Sequence, residues 1–156
     1  LAGLMRVYSD SVNMVNAPFL AKERGLDVRE IRHDREGDYH TLVRVTVETE
    51  EGERSVAGTL FGNAAPRLVD MFGVAVEAEL AGEMIYFVNE DRPGFIGRLG
   101  TALGEAEVNI ATFHLGRRAA GGEAVALVSV DGHIEEALVA KLQALPGVRR
   151  VKPLRF

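Results

Sequence analysis

Residues 84–99 read MIYFVNEDRPGFIGRL, and this stretch decides the fold. The apolar run 85–88 is typical of a buried strand, and Pro93-Gly94 is typical of a loop that begins a helix. Apolar residues then recur at offsets of four, seven, eight and eleven, namely Phe95, Leu99, Ala102, Leu103 and Ala106. Those offsets place the apolar side chains on one helix face. The stretch therefore predicts a strand, a tight loop and an amphipathic helix.

The pattern continues to the end of the chain. Residues 109–116 and 124–130 have the composition of strands and are joined across a turn at Gly121-Gly122. A second helical spacing follows and ends at Pro146-Gly147; its apolar positions are Ile134, Leu138, Leu142 and Leu145. Residues 148–154 form the last predicted strand. The order βαββαβ is that of the ferredoxin-like split βαβ arrangement, in which two helices cover one face of a four-stranded sheet.

The first half of the chain has a different pattern. Asn16-Ala17-Pro18 predicts a helix start with Asn16 as the N-cap, and Gly25 predicts a left-handed helix end. Strands are expected at 26–32, then around Val43, Val45 and Val47, whose alternation with polar residues is typical of a half-buried strand, then at 55–61, 67–72 and 74–80. This half is expected to contain a helix or two with a small, mainly antiparallel sheet.

Length and charge suggest two domains. The 156 residues fit one medium domain or two small ones. Up to Gly82 there are 9 basic and 14 acidic residues, whereas residues 83–156 contain 9 of each, so the net charge of -5 lies in the first part. We predict an α+β chain with domains at 1–82 and 83–156, divided near Ala81-Gly82-Glu83.

Composition excludes several classes of site. The chain has no cysteine, which excludes disulfides, thiol nucleophiles, iron–sulfur clusters and thiolate zinc sites, and favours an intracellular protein. A pI near 5.4 argues against wide nucleic-acid contact. We find no signal peptide and no apolar run long enough to span a membrane. The start at Leu1 suggests a piece of a longer polypeptide, with simple trimming of the terminus as the alternative.

No catalytic motif is recognisable. The four histidines, His33, His40, His114 and His133, lack zinc-ligand spacing, and no G-x-S-x-G elbow is present. The glycines from Gly94 to Gly104 match neither a dinucleotide fingerprint nor a P-loop, and their spacing of three and four favours a smooth helix face for close packing. We therefore expect no catalytic residues, no metal site and no cofactor in this chain.

The loop between the first predicted strand and helix of the second domain offers a binding site instead. Amides of the first helical turn favour a carboxylate, and Asp91 just before them can hold an ammonium group. Asn89 and Asn109 can both donate and accept hydrogen bonds. This set complements a free α-amino acid. The alternative is that Asp91 only caps the helix.

These motifs resemble a known family. Asp91-Arg92-Pro93-Gly94 and Val108-Asn109-Ile110 are similar to the effector motif of ACT domains, the amino-acid-binding modules of many metabolic enzymes. The whole chain resembles the C-terminal regulatory part of long-form D-3-phosphoglycerate dehydrogenases. The further segments that carry this resemblance are Val15-Asn16-Ala17-Pro18, Glu23-Arg24-Gly25, Gly58-Thr59-Leu60-Phe61-Gly62 and residues 109–117.

The resemblance implies L-serine as a feedback inhibitor, bound between ACT domains of neighbouring subunits. It implies Asn89, Asp91 and Asn109 as the contacting side chains, with the backbone after Pro93-Gly94, at Phe95 and Ile96, receiving the carboxylate. Some family members carry histidine or tyrosine where this chain has Asn89. The parent enzyme would be a cytoplasmic, NAD-dependent oxidoreductase of L-serine biosynthesis, with NAD bound outside this chain.

The resemblance also implies that the first domain is an allosteric substrate-binding domain that takes up anions. The candidate residues are Arg32, His33, Arg35, His40 and Arg44. On one extended strand, His40 and Arg44 would face the same way but stand about 13 Å apart. The alternative is that these charges are solvated on an exposed sheet face.

Two other functions remain open. The chain could be a structural oligomerisation module whose effector pocket has lapsed, because halves of this size have small cores that favour self-association. It could also be the regulatory region of an L-serine dehydratase, which would join similar domains to an iron–sulfur catalytic unit. Under all three hypotheses, self-association and the upstream or downstream catalytic part supply the protein partners, with no nucleic acid and no membrane.

Overall fold

The computed structural model describes residues 1–32, 39, 41–50, 52–62 and 65–156. In chain order the elements are α1 Ala2–Arg6, α2 Ala17–Glu23, β1 Leu42–Thr49, β2 Gly52–Phe61, β3 Ala65–Met71, β4 Val74–Glu79, β5 Glu83–Glu90, α3 Phe95–Glu105, β6 Ile110–Arg117, β7 Glu123–Val130, α4 Glu136–Gln143 and β8 Val148–Arg155. Contacts divide the chain into two compact units, Leu1–Glu36 and Gly37–Phe156. The α+β prediction is confirmed.

The first unit contains the two short helices. Its small core consists of Met5, Val12, Ala17 and Ala21. Gly25 follows α2 with φ of 74°, so the predicted left-handed helix end is confirmed. The predicted helix start is confirmed, with Asn16 at the N-cap position. Its side chain makes no capping hydrogen bond, because its oxygen accepts from the backbone amide of Asn13 at 2.8 Å.

The strand predicted at 26–32 is absent: these residues have no regular secondary structure and all are exposed. Its charged side chains pair locally instead, Arg29 with Asp27 at 3.2 Å and Arg32 with Glu30 at 2.7 Å. A strand requires a hydrogen-bonding neighbour and gains stability mainly from a buried face, and this segment has neither in the described residues of its unit.

The first sheet lies in the second unit and has the strand order β1-β2-β3-β4, antiparallel throughout. The four predicted strands are confirmed. The half-burial expected for β1 is wrong, because Val43, Val45 and Val47 are 67%, 43% and 39% exposed. Among the described strands, β1 pairs with β2 alone and so lies at the edge of the sheet, whereas the buried residues concentrate in β3 and β4.

The second sheet has the order β6-β7-β5-β8 and is also antiparallel. Helices α3 and α4 pack on one face and form a single buried cluster with Ile85 and Phe87 of β5; the helix residues in it include Phe95, Leu99, Leu103, Leu138 and Leu142. The βαββαβ prediction is confirmed, including its ferredoxin-like topology.

The glycines of α3 do not have the packing role that their spacing suggested. A Cβ atom built at Gly97, Gly100 or Gly104 would meet no atom of the described chain within 4 Å. These positions lie on the side of α3 away from its buried residues. The close-packing prediction is therefore wrong within one chain.

The other face of the second sheet packs against the first sheet. Met84, Tyr86 and Val88 of β5 form one apolar layer with residues of β3 and β4, among them Leu68 and Val76. Strand β5 is thus buried on both faces, which explains why 85–88 is a continuous apolar run rather than an alternating one. Because this layer joins the two sheets, contacts place them in one unit, and the domain division near Gly82 stays a prediction.

Candidate functional site

An open cleft of about 550 Å³ lies where β5 meets α3, beside the hairpin between β6 and β7. It contains six of the seven predicted effector residues. Its lining residues are Asn89, Asp91, Arg92, Pro93, Gly94, Phe95, Ile96, Gly97, Leu115, Arg117, Ala120 and Gly121.

The cleft floor is the start of α3. Gly94 precedes the helix in the left-handed conformation, with φ of 88°, and a Cβ there would lie 2.8 Å from Nη1 of Arg98. The left-handed backbone conformation therefore favours glycine here, whereas the Arg98 side chain could move aside to make room for a Cβ atom. The amides of Ile96 and Gly97 lie in the first turn, where amides have no acceptor inside the helix, and both residues line the cleft. This end of the helix favours an anion.

The side chain of Asn89 has a hydrogen-bond acceptor, Oδ1, to which no described group donates. Its side chain is 1% exposed, and its Nδ2 donates to the carbonyl of Glu90 at 2.9 Å. Its Oδ1 is buried and has no hydrogen-bond partner among the described residues. A buried acceptor left unpaired costs about 1–3 kcal/mol. The cleft is thus lined by a residue whose buried side-chain oxygen lacks a donor among the described residues.

Asp91 joins the two walls of the cleft. Its Oδ2 accepts hydrogen bonds from Nη1 of Arg117 at 2.7 Å and from the amide of Gly121 at 3.0 Å. Its own amide donates to the carbonyl of Gly122 at 2.8 Å. The Gly121 amide, and after it the Arg117 guanidinium, lower the pKa of the Asp91 carboxyl. Asp91 is not a helix cap, because Gly94 holds that position and α3 has no side-chain cap.

Comparison with known proteins assigns the chain. Residues 1–72 match the D-3-phosphoglycerate dehydrogenase intervening domain, and residues 84–147 match the ACT domain. The chain belongs to the regulatory part of the D-3-phosphoglycerate dehydrogenase family. The resemblance to that family is confirmed, and the dehydratase alternative is not supported, since the first match is specific to the dehydrogenase. The predicted division near Gly82 falls between the two matched ranges.

Its relatives are much longer proteins. D-3-phosphoglycerate dehydrogenase of Bacillus subtilis is 35% identical over 97% of this chain, which covers 29% of that protein. The enzyme of the same name from Methanocaldococcus jannaschii is 32% identical over 90% of the chain, with 26% of the relative covered. D-3-phosphoglycerate dehydrogenase 3, chloroplastic, of Arabidopsis thaliana is 32% identical over 88% of the chain, which covers 25% of that protein. The chain thus spans little more than a quarter of these relatives.

Asn109 is the predicted effector residue that the structure does not bring to the cleft. Strands β5 and β6 are both antiparallel to β7 and therefore run in the same direction. Asn109 precedes β6, whereas the cleft lies at the ends of β5 and β6, about 23 Å away at 3.3 Å per residue. Its Nδ2 donates to Asp131 at 2.7 Å. Within one ACT domain, Asn109 and Asn89 cannot contact the same small ligand.

Six lining residues were not among the predicted effector residues: Arg92, Gly97, Leu115, Arg117, Ala120 and Gly121. The predicted topology contained a usable signal. In a βαββαβ unit, the first two strands run in the same direction, and here these are β5 and β6. Their ends lie at the same edge of the sheet, so a charged residue at the end of β6 is expected near the β5–α3 loop. Arg117 is that residue.

The anion candidates of the intervening domain form no described site. His33, Arg35 and His40 lie outside the described residues. Arg32 belongs to the first unit and pairs with Glu30, while Arg44 belongs to the second unit and pairs with Asp70 at 2.9 Å. Both described arginines have acidic partners. Their anion role stays a prediction.

The described residues contain no group of three or more His, Cys, Asp or Glu side chains that could hold a metal ion. No helix among the described residues is long and apolar enough to cross a membrane.

Proposed function

We propose that this chain binds L-serine in the β5–α3 cleft and so acts as the feedback-sensing region of a cytoplasmic D-3-phosphoglycerate dehydrogenase. The observation that carries the proposal is the buried, unpaired Oδ1 of Asn89 in a residue that lines the cleft. An amino acid supplies the missing donor through its ammonium or hydroxyl group. A ligand without such a donor would leave the oxygen unpaired, and the free-energy cost of the unpaired acceptor would remain.

The cleft is complementary to both charged ends of the ligand. The first-turn amides of α3 at Ile96 and Gly97 favour the carboxylate. Asp91, which stays ionised because of its lowered pKa, attracts the ammonium group. Phe95, which is buried, sets the apolar floor between them.

The remainder of the enzyme would supply catalysis. The names of the relatives are those of a dehydrogenase, and this chain spans only a quarter or so of their length. We therefore assign NAD binding and hydride transfer to other parts of the parent enzyme. Serine occupancy alters activity only if it favours one arrangement of the whole protein over another.

A second copy of the chain completes the site in this proposal. Strand β6 is an edge strand with β7 as its one neighbour in the sheet. Antiparallel pairing of β6 with β6 of a second copy would set the start of one strand beside the end of the other. This places Asn109 of one copy near the cleft of its partner, which its position within one chain does not allow.

Isothermal titration calorimetry with L-serine tests the proposal. We expect saturable heat with L-serine and none with ethanolamine or 3-hydroxypropanoate, each of which lacks one charged end. Asn109→Ala should weaken binding, whereas Arg155→Ala, at the same end of the sheet but on the other edge strand β8, should not. Self-association without any heat from millimolar L-serine would instead support the oligomerisation module whose pocket has lapsed.

A further inference from the structure

Three consecutive residues connect the cleft with the first sheet. Arg117 lines the cleft, whereas Gly116 and Arg118 contact the first sheet. Side chains alternate in direction along a strand, so Gly116 and Arg117, the last two residues of β6, face opposite sides of the sheet, and Arg118 follows directly after the strand. Arg117 forms an ion pair with Asp91 in the cleft. Arg118 donates a hydrogen bond to the backbone carbonyl of Phe72 in the β3–β4 turn.

Gly116 fits against the same part of the first sheet. A Cβ atom built there would overlap the carbonyl oxygen of Ala75 and lie 2.7 Å from Cγ1 of Val74. The backbones of β6 and β4 are therefore in direct contact with no side chain between them. A displacement of β6 at this point cannot be absorbed by rotation of a side chain.

The β3–β4 turn that receives these contacts is tightly constrained. Phe72 and Gly73 both have left-handed backbone conformations, with φ of 56° and 76°. For a bulky residue such as phenylalanine this conformation persists only where the surroundings enforce it. The Phe72 amide donates to the carbonyl of Ser55 at 2.7 Å, and its ring packs edge-on against Tyr86.

We propose that residues 116–118 couple occupation of the cleft to the β3–β4 turn. The coupling rests on the proposed function in one respect: the ammonium group of the ligand replaces Arg117 as the cation on Asp91. Arg117 is 56% exposed, and such surface ion pairs are weak enough for a bound cation to displace. In one state Arg117 is paired with Asp91, and in the other it is released. The resulting displacement of β6 reaches the first sheet through Gly116 and Arg118, which contact Phe72, Val74 and Ala75.

Amide hydrogen exchange at Phe72 and Gly73 tests the coupling without any ligand. Arg117→Gln keeps most of the side chain but removes the cation, and should change exchange at both amides by about fivefold or more, the lower end for coupled sites. The matched control is Arg155→Gln, which removes an arginine bound to Glu83 at 2.6 Å at the other end of the same sheet. Equal exchange in wild type and Arg117→Gln overturns the coupling, whether or not L-serine binds.

A second arm adds L-serine to the full chain. The wild type should show the same change at Phe72 and Gly73 as ligand-free Arg117→Gln. Arg118→Ala should still bind L-serine by calorimetry, but its turn amides should no longer respond. A response that persists in Arg118→Ala and in Arg118→Gln overturns the route through this residue. Absence of binding to wild type overturns the proposed function, and the ligand-free arm then decides the coupling alone.

Discussion

At Asn89, the binding role that we propose and the stability of the chain have different requirements. A buried side chain would normally satisfy both halves of its amide, yet here one half has a partner and the other has none among the described residues. Such local conflicts in an otherwise consistent fold are expected at functional positions. Asp91 is the opposite case, because its carboxylate is already occupied by Arg117 and Gly121.

Replacing Asn89 should separate these requirements. We expect Asn89→Leu to abolish L-serine binding while leaving the ligand-free stability unchanged or raised by up to about 1 kcal/mol, because an unpaired buried acceptor is removed. For stability alone, the comparison is Asn109→Leu, which loses its hydrogen bond to Asp131 and should cost about 0.5 kcal/mol; this variant should also weaken L-serine binding. Denaturant titration and calorimetry measure both. Marked destabilisation in Asn89→Leu would show that Oδ1 has a stabilising partner.

Asp91 provides a prediction of pH dependence. Its pKa is below that of an ordinary aspartate, so its stabilising contribution is fully present above the ordinary value and is lost as the pH falls through the folded-state value. In Arg117→Ala we expect the pKa to rise part of the way back, because the Gly121 amide, the larger cause, remains. Carboxyl NMR titration measures this, with Arg155→Ala as control. A complete return to the ordinary value would assign the whole shift to Arg117.

At the scale of elements, the approach of β6 to β4 is the most restrictive contact. It needs a residue without a side chain at position 116, because the Ala75 carbonyl occupies the space of a Cβ. The glycines of α3 are different, since a Cβ at Gly104 meets nothing within 4 Å of the described chain. We therefore expect glycine to stabilise the chain at position 116 in β6 and to destabilise it at position 104 in α3.

A pair of alanine substitutions tests this contrast. Gly116→Ala should destabilise the chain by about 1–3 kcal/mol through overpacking. Gly104→Ala should stabilise it by up to about 1 kcal/mol, because glycine is a poor helix former. Thermal or chemical denaturation measures both variants. A neutral Gly116→Ala would mean that β4 and β6 can separate without cost, and would weaken the coupling inferred above.

At the scale of the whole molecule, the apolar layer between the two sheets is the main link between the intervening strands and the ACT domain. Tyr86 lies in this layer, 7% exposed, and its hydroxyl has no hydrogen-bond partner among the described residues. Burial raises the pKa of Tyr86 to about 12. The layer therefore favours the neutral phenol.

Alkaline pH should open this layer. The folded-state pKa of Tyr86 is above the ordinary value of 10.0, so its contribution to stability is complete below pH 10.0 and is lost as the pH rises towards about 12. Tyr86→Phe should lose this pH dependence and be at least as stable at pH 7. Urea denaturation at pH 7 and pH 11 compares the two proteins. An identical fall in stability in Tyr86→Phe would assign the alkaline transition to other groups.

Much of the second half followed from the sequence alone. The βαββαβ order and the loop that holds Asn89, Asp91 and Gly94 were all predicted, because apolar periodicity and the backbone limits of proline and glycine are local properties. Local patterns gave a wrong prediction at 26–32, which has the composition of a strand but no neighbouring strand among the described residues. They were also wrong at Val43, because the alternation of apolar and polar residues predicted a buried side chain, whereas a position at the edge of the sheet leaves it exposed.

The amino-acid sequence alone was therefore enough to predict the type and order of most elements, the family and the loop of the candidate site, since these depend on residues close together in the chain. The tertiary structure decided which groups meet. It placed Arg117 on Asp91, separated Asn109 from Asn89, and brought Gly116 against Ala75. Those contacts depend on strand direction and on the packing of one sheet against the other, which only the folded chain establishes.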